Sequence, residues 1–274
     1  MVEGATIIGP LVIVGGHEDK FGHPEILERI ATLAHQHHPD LPLAVVTTAS
    51  HHGNLSFATY HNAFRQFGLK VFPLRIDSRQ QADLPYASQM LAQASGIFFT
   101  GGDQLRITSV LGGTPFHHAL MESWGRGLVV AGTSAGASMM SGTMIVAGDA
   151  ERTPAKNTVN MARGMGLWED AVIDQHFSQR GRVGRLLAAV AQNPQTLGVG
   201  IDENTAVIVE LNNHQLTVWG EGTVLVVDGQ KTTMNNASEA QPGEPLTLTH
   251  VMVHILSRGY GLNLEQREPI RVFT

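Results

Sequence analysis

Cysteine is absent from the 274-residue chain, which excludes disulfides, thiolate metal sites and a cysteine nucleophile together and leaves the redox compartment open. Charge is sparse as well. Only 15% of the residues are Asp, Glu, Lys or Arg, against 42% hydrophobic ones, the balance of an ordinary globular protein rather than a disordered one. The net charge of −6 argues against a broad nucleic-acid surface. No uninterrupted apolar run approaches the length needed to cross a bilayer, and Met1-Val2-Glu3-Gly4-Ala5-Thr6 lacks the basic opening of a secretory leader. These features predict a cytoplasmic protein with no membrane segment. Repeats, low-complexity tracts and interdomain linkers are missing too, so residues 1–274 read as a single α/β domain, long enough for a full hydrophobic core.

What is present is an alternation. Leu11-Val12-Ile13-Val14, Leu43-Ala44-Val45-Val46-Thr47, Val71-Phe72-Pro73-Leu74, Gly96-Ile97-Phe98-Phe99-Thr100 and Leu128-Val129-Val130-Ala131 are short apolar runs that read as strands, the first buried on both faces and the second buried as well. Pro73 places its run at an edge or a strand end. Helical stretches are predicted between the runs at 24–37, through Tyr60 and Phe64, at 84–94 and around 116–124. This alternation predicts a doubly wound, mostly parallel sheet. Further on, 144–146 reads as a short strand, 148–160 as a polar loop or lid, 186–192 as a helix and 197–201 as a strand. The remainder is β-rich, with 206–211, 215–219 and 224–228 read as a meander, 234–245 as a polar loop and 246–256 as a late strand. Doubly wound sheets bind ligands at the carboxyl ends of their strands. Gly15-Gly16, Thr48-Ala49-Ser50, Gly101-Gly102-Asp103-Gln104 and Ser134 are therefore predicted to crowd one edge.

Gly132-Thr133-Ser134-Ala135-Gly136 has the G-x-S-x-G pattern of a nucleophile elbow, a sharp strand-to-helix turn that lifts a serine above the sheet. Glycine suits the close backbone approach such a turn requires, and the following backbone N–H groups can hold an oxyanion. The same residues also suit a tight turn into a small-residue helix without any chemistry. A serine nucleophile needs a base, and the base needs a partner that fixes its tautomer. With 14 histidines in the chain, the presence of one proves nothing. His35, His37 and His38 fall at a helix end, where imidazoles are commonly solvated, and the pairs His51-His52 and His117-His118 point apart. His176 follows a predicted strand amid polar and cationic residues; a hydrogen-bonded strand-end histidine and a catalytic base fit it equally. For the acid, Asp202, Glu203 and Asp174 all stand at strand ends, where turn and cap carboxylates are also common. Arg180, Arg182 and Arg185 fall within six residues, either a solvated face or a carboxylate receptor. No H-E-x-x-H or comparable spacing occurs, so no metal and no cofactor is called for.

Three segments taken together, Gly132-Thr133-Ser134-Ala135-Gly136-Ala137, Val172-Ile173-Asp174-Gln175-His176-Phe177-Ser178-Gln179-Arg180-Gly181-Arg182 and Gly200-Ile201-Asp202-Glu203-Asn204-Thr205-Ala206, resemble cyanophycinase. Residues 11–20 and 100–104 are similar to that family as well, and the resemblance runs over nearly the whole chain. It implies a flavodoxin-like fold, akin to the class I glutamine amidotransferases and shared with aspartyl dipeptidase, with a β-rich C-terminal part. It implies a homodimeric serine exopeptidase that cuts the poly-aspartate backbone of cyanophycin into β-aspartyl-arginine dipeptides through an acyl-enzyme. Carried over by position, Ser134 is the nucleophile, His176 the base and Glu203 the acid. Gln104, Asp174, Gln175, Arg180, Arg182 and Arg185 match substrate-pocket positions, and the N–H groups of Ala135 and Gly102 would form the oxyanion hole. The order serine, histidine, acid departs from that of α/β-hydrolases. Two rival readings remain: a related hydrolase of short aspartyl or isoaspartyl peptides, which would not obviously require the arginine cluster, and a non-catalytic binding protein, which would not need all three triad members.

Overall fold

The apolar runs pair side by side, and all but Val71–Leu74, which is partly exposed, are buried on both faces. In the computed structural model, which describes residues 8–148 and 153–273, β1 (Leu11–Val14), β2 (Leu43–Val46), β3 (Val71–Leu74), β4 (Gly96–Phe99) and β5 (Val129–Thr133) form a parallel array in the order β1-β5-β4-β2-β3. Pro73, which has no N–H to donate, lies in the edge strand β3. Parallel neighbours need crossovers, supplied by α1 (Glu25–His37), α2 (Gly53–Arg65), α3 (Arg79–Ala82) with α4 (Pro85–Leu91), and α5 (Gln104–Leu111) with α6 (Pro115–Trp124). The predicted 84–94 helix is thus shorter, and α5 was not foreseen. Asp103 starts α5 by accepting from the N–H groups of Leu105 and Arg106 at 2.8 and 3.4 Å, an N-cap that satisfies donors left over in the first turn. Side chains alternate across each strand. Val12 and Val14 pack with Ile26, Ile30 and Phe64 on one face, while Leu11 and Ile13 enter the core on the other.

After β5 come α7 (Ala135–Ser138), the antiparallel pair β6 (Thr143–Gly148) and β7 (Val159–Arg163), then β8 (Ala171–Gln175), α8 (Val183–Gln192) and β9 (Leu197–Ile201). The stretch 148–160 therefore runs from one strand into another rather than being loop throughout; its residues 149–152, like Met1 through Thr6, lie outside the described residues. Strand β10 (Thr205–Glu210) crosses to the first sheet beside β1, followed by β11 (Gln215–Gly220). The expected meander stops there. β12 (Val224–Asp228) leaves for a separate four-stranded sheet, β13-β12-β9-β8, in which β13 is Met252–Leu256. The cause is local: the Asp202 carboxylate holds Thr223 through its N–H and hydroxyl at 3.0 and 2.8 Å, which aligns the chain with the end of β9. The late strand starts at Met252, not at 246. β14 (Tyr260–Asn263) and β15 (Glu268–Arg271) complete a nine-stranded sheet; short, polar and partly exposed, they carry no apolar alternation to announce them. The result is a flavodoxin-like, mostly parallel sheet with a β-rich C-terminal part. Among the described residues no helix is long and apolar enough to cross a membrane.

Candidate active site

Strand β5 ends at Thr133, and Ser134 turns sharply with φ +54° and ψ −111° before α7 begins, a backbone conformation that non-glycine residues adopt only when the surroundings enforce it. The surroundings do so. A Cβ on Gly132 would stand 2.3 Å from the Gly136 carbonyl oxygen, and one on Gly136 would stand 2.3 Å from that of Phe99. The Ser134 N–H donates to the Val14 carbonyl at 3.0 Å, fixing the turn to the end of β1. The neighbouring loops converge as the topology requires: a Cβ on Gly101 would lie 3.9 Å from Ser134 Oγ, and Gly102 packs on Ala49.

The second sheet delivers the imidazole. His176 follows β8 and its N–H donates to the Gly15 carbonyl at 2.8 Å, which seats the ring over Gly16. Ser134 Oγ lies 3.0 Å from His176 Nε2, and His176 Nδ1 lies 2.6 Å from Glu203 Oε1. Glu203 stands in the turn from β9 to β10, with its N–H bonded to Gln179 Oε1 at 3.0 Å. Of the three carboxylates the sequence left open, it is Glu203 that reaches the ring. Asp202 accepts instead from Ser178 and Thr223, and Asp174 is held by arginines. Burial pulls the His176 pKa below its ordinary value; the hydrogen bond to Glu203 opposes this and the nearby charge of Arg180 adds to it. For Glu203, burial favours the neutral acid but is outweighed by the hydrogen bond from His176 and the neighbouring imidazoles, and its pKa falls.

The remaining candidate residues divide by exposure. Arg180 is exposed on the turn after His176. Asp174, Gln175, Arg182 and Arg185 are buried together. Arg185 grips Asp174 with Nε at 2.6 Å from Oδ2 and Nη2 on Oδ1, and Arg182 Nη1 lies 3.2 Å from Oδ1 and also bonds the Gln175 carbonyl. Desolvation lowers the Arg182 pKa to about 10, against the pull of Asp174 and with the repulsion of Arg185. Gln104, half-buried at the start of α5, donates to the Ile145 carbonyl at 2.9 Å. Ala135 is the first residue of α7, so its N–H precedes the helical bonding pattern.

Two residues escaped the sequence reading. Glu18 is buried and accepts from Tyr60 Oη at 2.5 Å and Thr133 Oγ1 at 2.6 Å, with Lys20 Nζ at 3.2 Å. It thereby clamps the residue before the serine, and burial together with this carboxylate drives the Tyr60 pKa well above its usual value. His17 places Nδ1 3.1 Å from the second oxygen of Glu203. The available signal was an acid and an imidazole directly after a strand-ending Gly-Gly.

A doubly wound sheet whose elbow serine meets an imidazole and a carboxylate at the carboxyl edge has the layout of a serine hydrolase. Residues 11–217 match the profile of Peptidase family S51. The chain belongs to that family. It is 38% identical over 259 residues to a cyanophycinase of Nostoc sp., covering 94% of this chain and 86% of that protein. A cyanophycinase of Geminocystis herdmanii is 35% identical over 264 residues, 95% of each chain. The crystal structure of a peptidase from an acI-B1 actinobacterium superposes with a TM-score of 0.71 at 20% identity, covering 97% of this chain and 98% of the other, which shows the shared fold.

Proposed function

We propose that this peptidase degrades cyanophycin through a Ser134–His176–Glu203 triad, releasing β-aspartyl-arginine. The observation that carries the reading is the unbroken hydrogen-bond chain from Ser134 through His176 to Glu203, beside the exposed Arg180. Ser134 Oγ attacks the backbone carbonyl as His176 Nε2 takes its proton. Glu203 holds the Nδ1–H and stabilises the imidazolium. The N–H groups of Ala135 and Gly102 meet the oxyanion, where removal of one good donor typically costs about 3–4 kcal/mol. The tetrahedral adduct collapses as His176 passes the proton to the leaving amine; water, activated by the same base, then releases the acyl group and restores Ser134.

Cyanophycin carries a free carboxylate and a guanidinium on each arginyl branch. Arg180 supplies a fork for the carboxylate; Asp174, Gln175, Arg182 and Arg185 are held rigid by bonds to one another, and Gln104 is fixed separately by the Ile145 carbonyl. The identity of 34–38% to curated cyanophycinases, over about 95% of the chain, supports this substrate. The same reading makes the enzyme a cytoplasmic homodimer. Incubation with insoluble cyanophycin, followed by mass analysis, is expected to yield β-aspartyl-arginine with the wild type and none with Ser134→Ala. Arg180→Ala should raise KM roughly ten-fold and leave the thermal midpoint in place. Equal activity of Ser134→Ala, or a midpoint loss matching the activity loss in Arg180→Ala, would remove the corresponding assignment.

A further inference from the structure

We propose that His17, His176 and Glu203 form a site for a divalent transition-metal ion of the zinc type, and that filling it switches the peptidase off. The consequence rests on the triad reading; the site itself does not. One donor atom from each of the three residues lies within 4.8 Å of the other two. Both imidazoles direct Nδ1 at the same carboxylate, His176 at 2.6 Å from Oε1 and His17 at 3.1 Å from Oε2. Two histidines and a glutamate are a donor set that zinc takes, with water completing a tetrahedron. Metal bonds of about 2.0–2.2 Å place the ligand atoms of such a tetrahedron roughly 3.3 Å apart. An ion therefore slightly opens the two carboxylate contacts, now 2.6 and 3.1 Å, and draws the two imidazoles, whose donors lie within 4.8 Å, together by a modest shift. That shift falls to His17, whose side chain is 73% exposed. Its exposure also gives an ion an entry path and leaves room for water.

His17 is dispensable for the proton relay, which is complete from Ser134 to Glu203 without it. Its ring approaches that of His176 edge-on, with centroids 5.1 Å apart, so the two can close on one ion from either side of Glu203. In the resting relay His176 carries its proton on Nδ1 and accepts at Nε2. An ion bound at Nδ1 obliges the ring to keep its proton on Nε2, which then cannot accept from Ser134. An ion bound at Nε2 occupies the base directly. Both routes leave the serine proton without an acceptor. At most the ring proton passes from Nδ1 to Nε2 through solvent, so withdrawal of the ion lets it return and restores the relay.

The test uses the full chain, with Co2+ as a visible-absorbing probe, Zn2+ as the inhibitor and a fluorophosphonate that labels the serine. The wild type should bind one equivalent of Co2+ more than His17→Gln, with a tetrahedral absorption band that Zn2+ displaces. Zn2+ should slow Ser134 labelling at least ten-fold, a chelator should reverse this, and His17→Gln should need roughly ten-fold more Zn2+ for the same effect, each variant judged against its own metal-free rate. Absence of the band, a band unchanged in His17→Gln, or a filled site that leaves labelling unslowed overturns the proposal. A serine that fails to label without metal overturns the triad reading instead, while the cobalt band still decides the site.

Discussion

In the proposed triad His176 is the residue on which the chemistry turns, because a base works only in its neutral form. Its burial disfavours the imidazolium and holds its pKa below the ordinary 6.5, the hydrogen bond to Glu203 works in the opposite direction, and the charge of Arg180 pushes it down further. A lowered pKa keeps the base neutral into more acidic solution. The acid limb of kcat/KM is therefore expected to have its midpoint below 6.5 and to move to higher pH in Arg180→Ala, which removes a positive charge from its surroundings. Rates measured across the acid range decide this; a limb above 6.5, or one unmoved by the substitution, contradicts it. At this scale the sequence named the three residues that meet, but only through family resemblance. Composition could not choose Glu203 over Asp202, since adjacent strand-end carboxylates look alike until Thr223 and Ser178 claim one of them. His17 was illegible because its partner, Glu203, is supplied by a turn far along the chain.

The turn after β1 shows how an element can determine a site without contributing a catalytic atom. Gly16 has φ +100°, and a Cβ there would stand 2.3 Å from Cε1 of His176. Gly16→Ala meets both penalties: a backbone conformation costing on the order of 1–3 kcal/mol and an imidazole that must move. Displacing a catalytic group by about 1 Å costs roughly 100-fold in rate. We expect kcat to fall by about that factor, with a smaller loss of thermal stability, measured by steady-state kinetics and calorimetry on one preparation; a wild-type rate would mean that the ring tolerates the intrusion. The parallel strands and the convergence of their ends were readable because strands buried on both faces leave uninterrupted apolar runs. α5 was missed because its start is marked mainly by Asp103 acting as a cap, and β12 was put in the wrong sheet because its apolar content is the same in either. Polar β14 and β15 left no pattern at all.

At the scale of the whole molecule, the candidate triad exists only while two sheets are docked. Ser134 belongs to the nine-stranded sheet, His176 hangs from β8 in the four-stranded one, and Glu203 sits where the chain passes from β9 to β10, between the two. One core binds them, joining Leu11, Ile13 and Val130 of the first sheet with Val199, Ile201 and Val226 of the second. Ile201 is fully buried there, two residues before Glu203. Ile201→Ala should cost about 2–5 kcal/mol through lost burial and the cavity left behind. Glu203 itself is pinned independently, by Gln179 and by the Asn204 N–H on the Gly16 carbonyl at 2.9 Å, so kcat per folded molecule should change little. Because the relay spans both sheets, denaturant should abolish activity and secondary structure at one midpoint, and Ile201→Ala should move both midpoints down together. Activity lost at a distinctly lower denaturant concentration than the circular dichroism signal would show instead that the sheets separate before they unfold, and that the triad is held by their contact rather than by the fold as one cooperative unit.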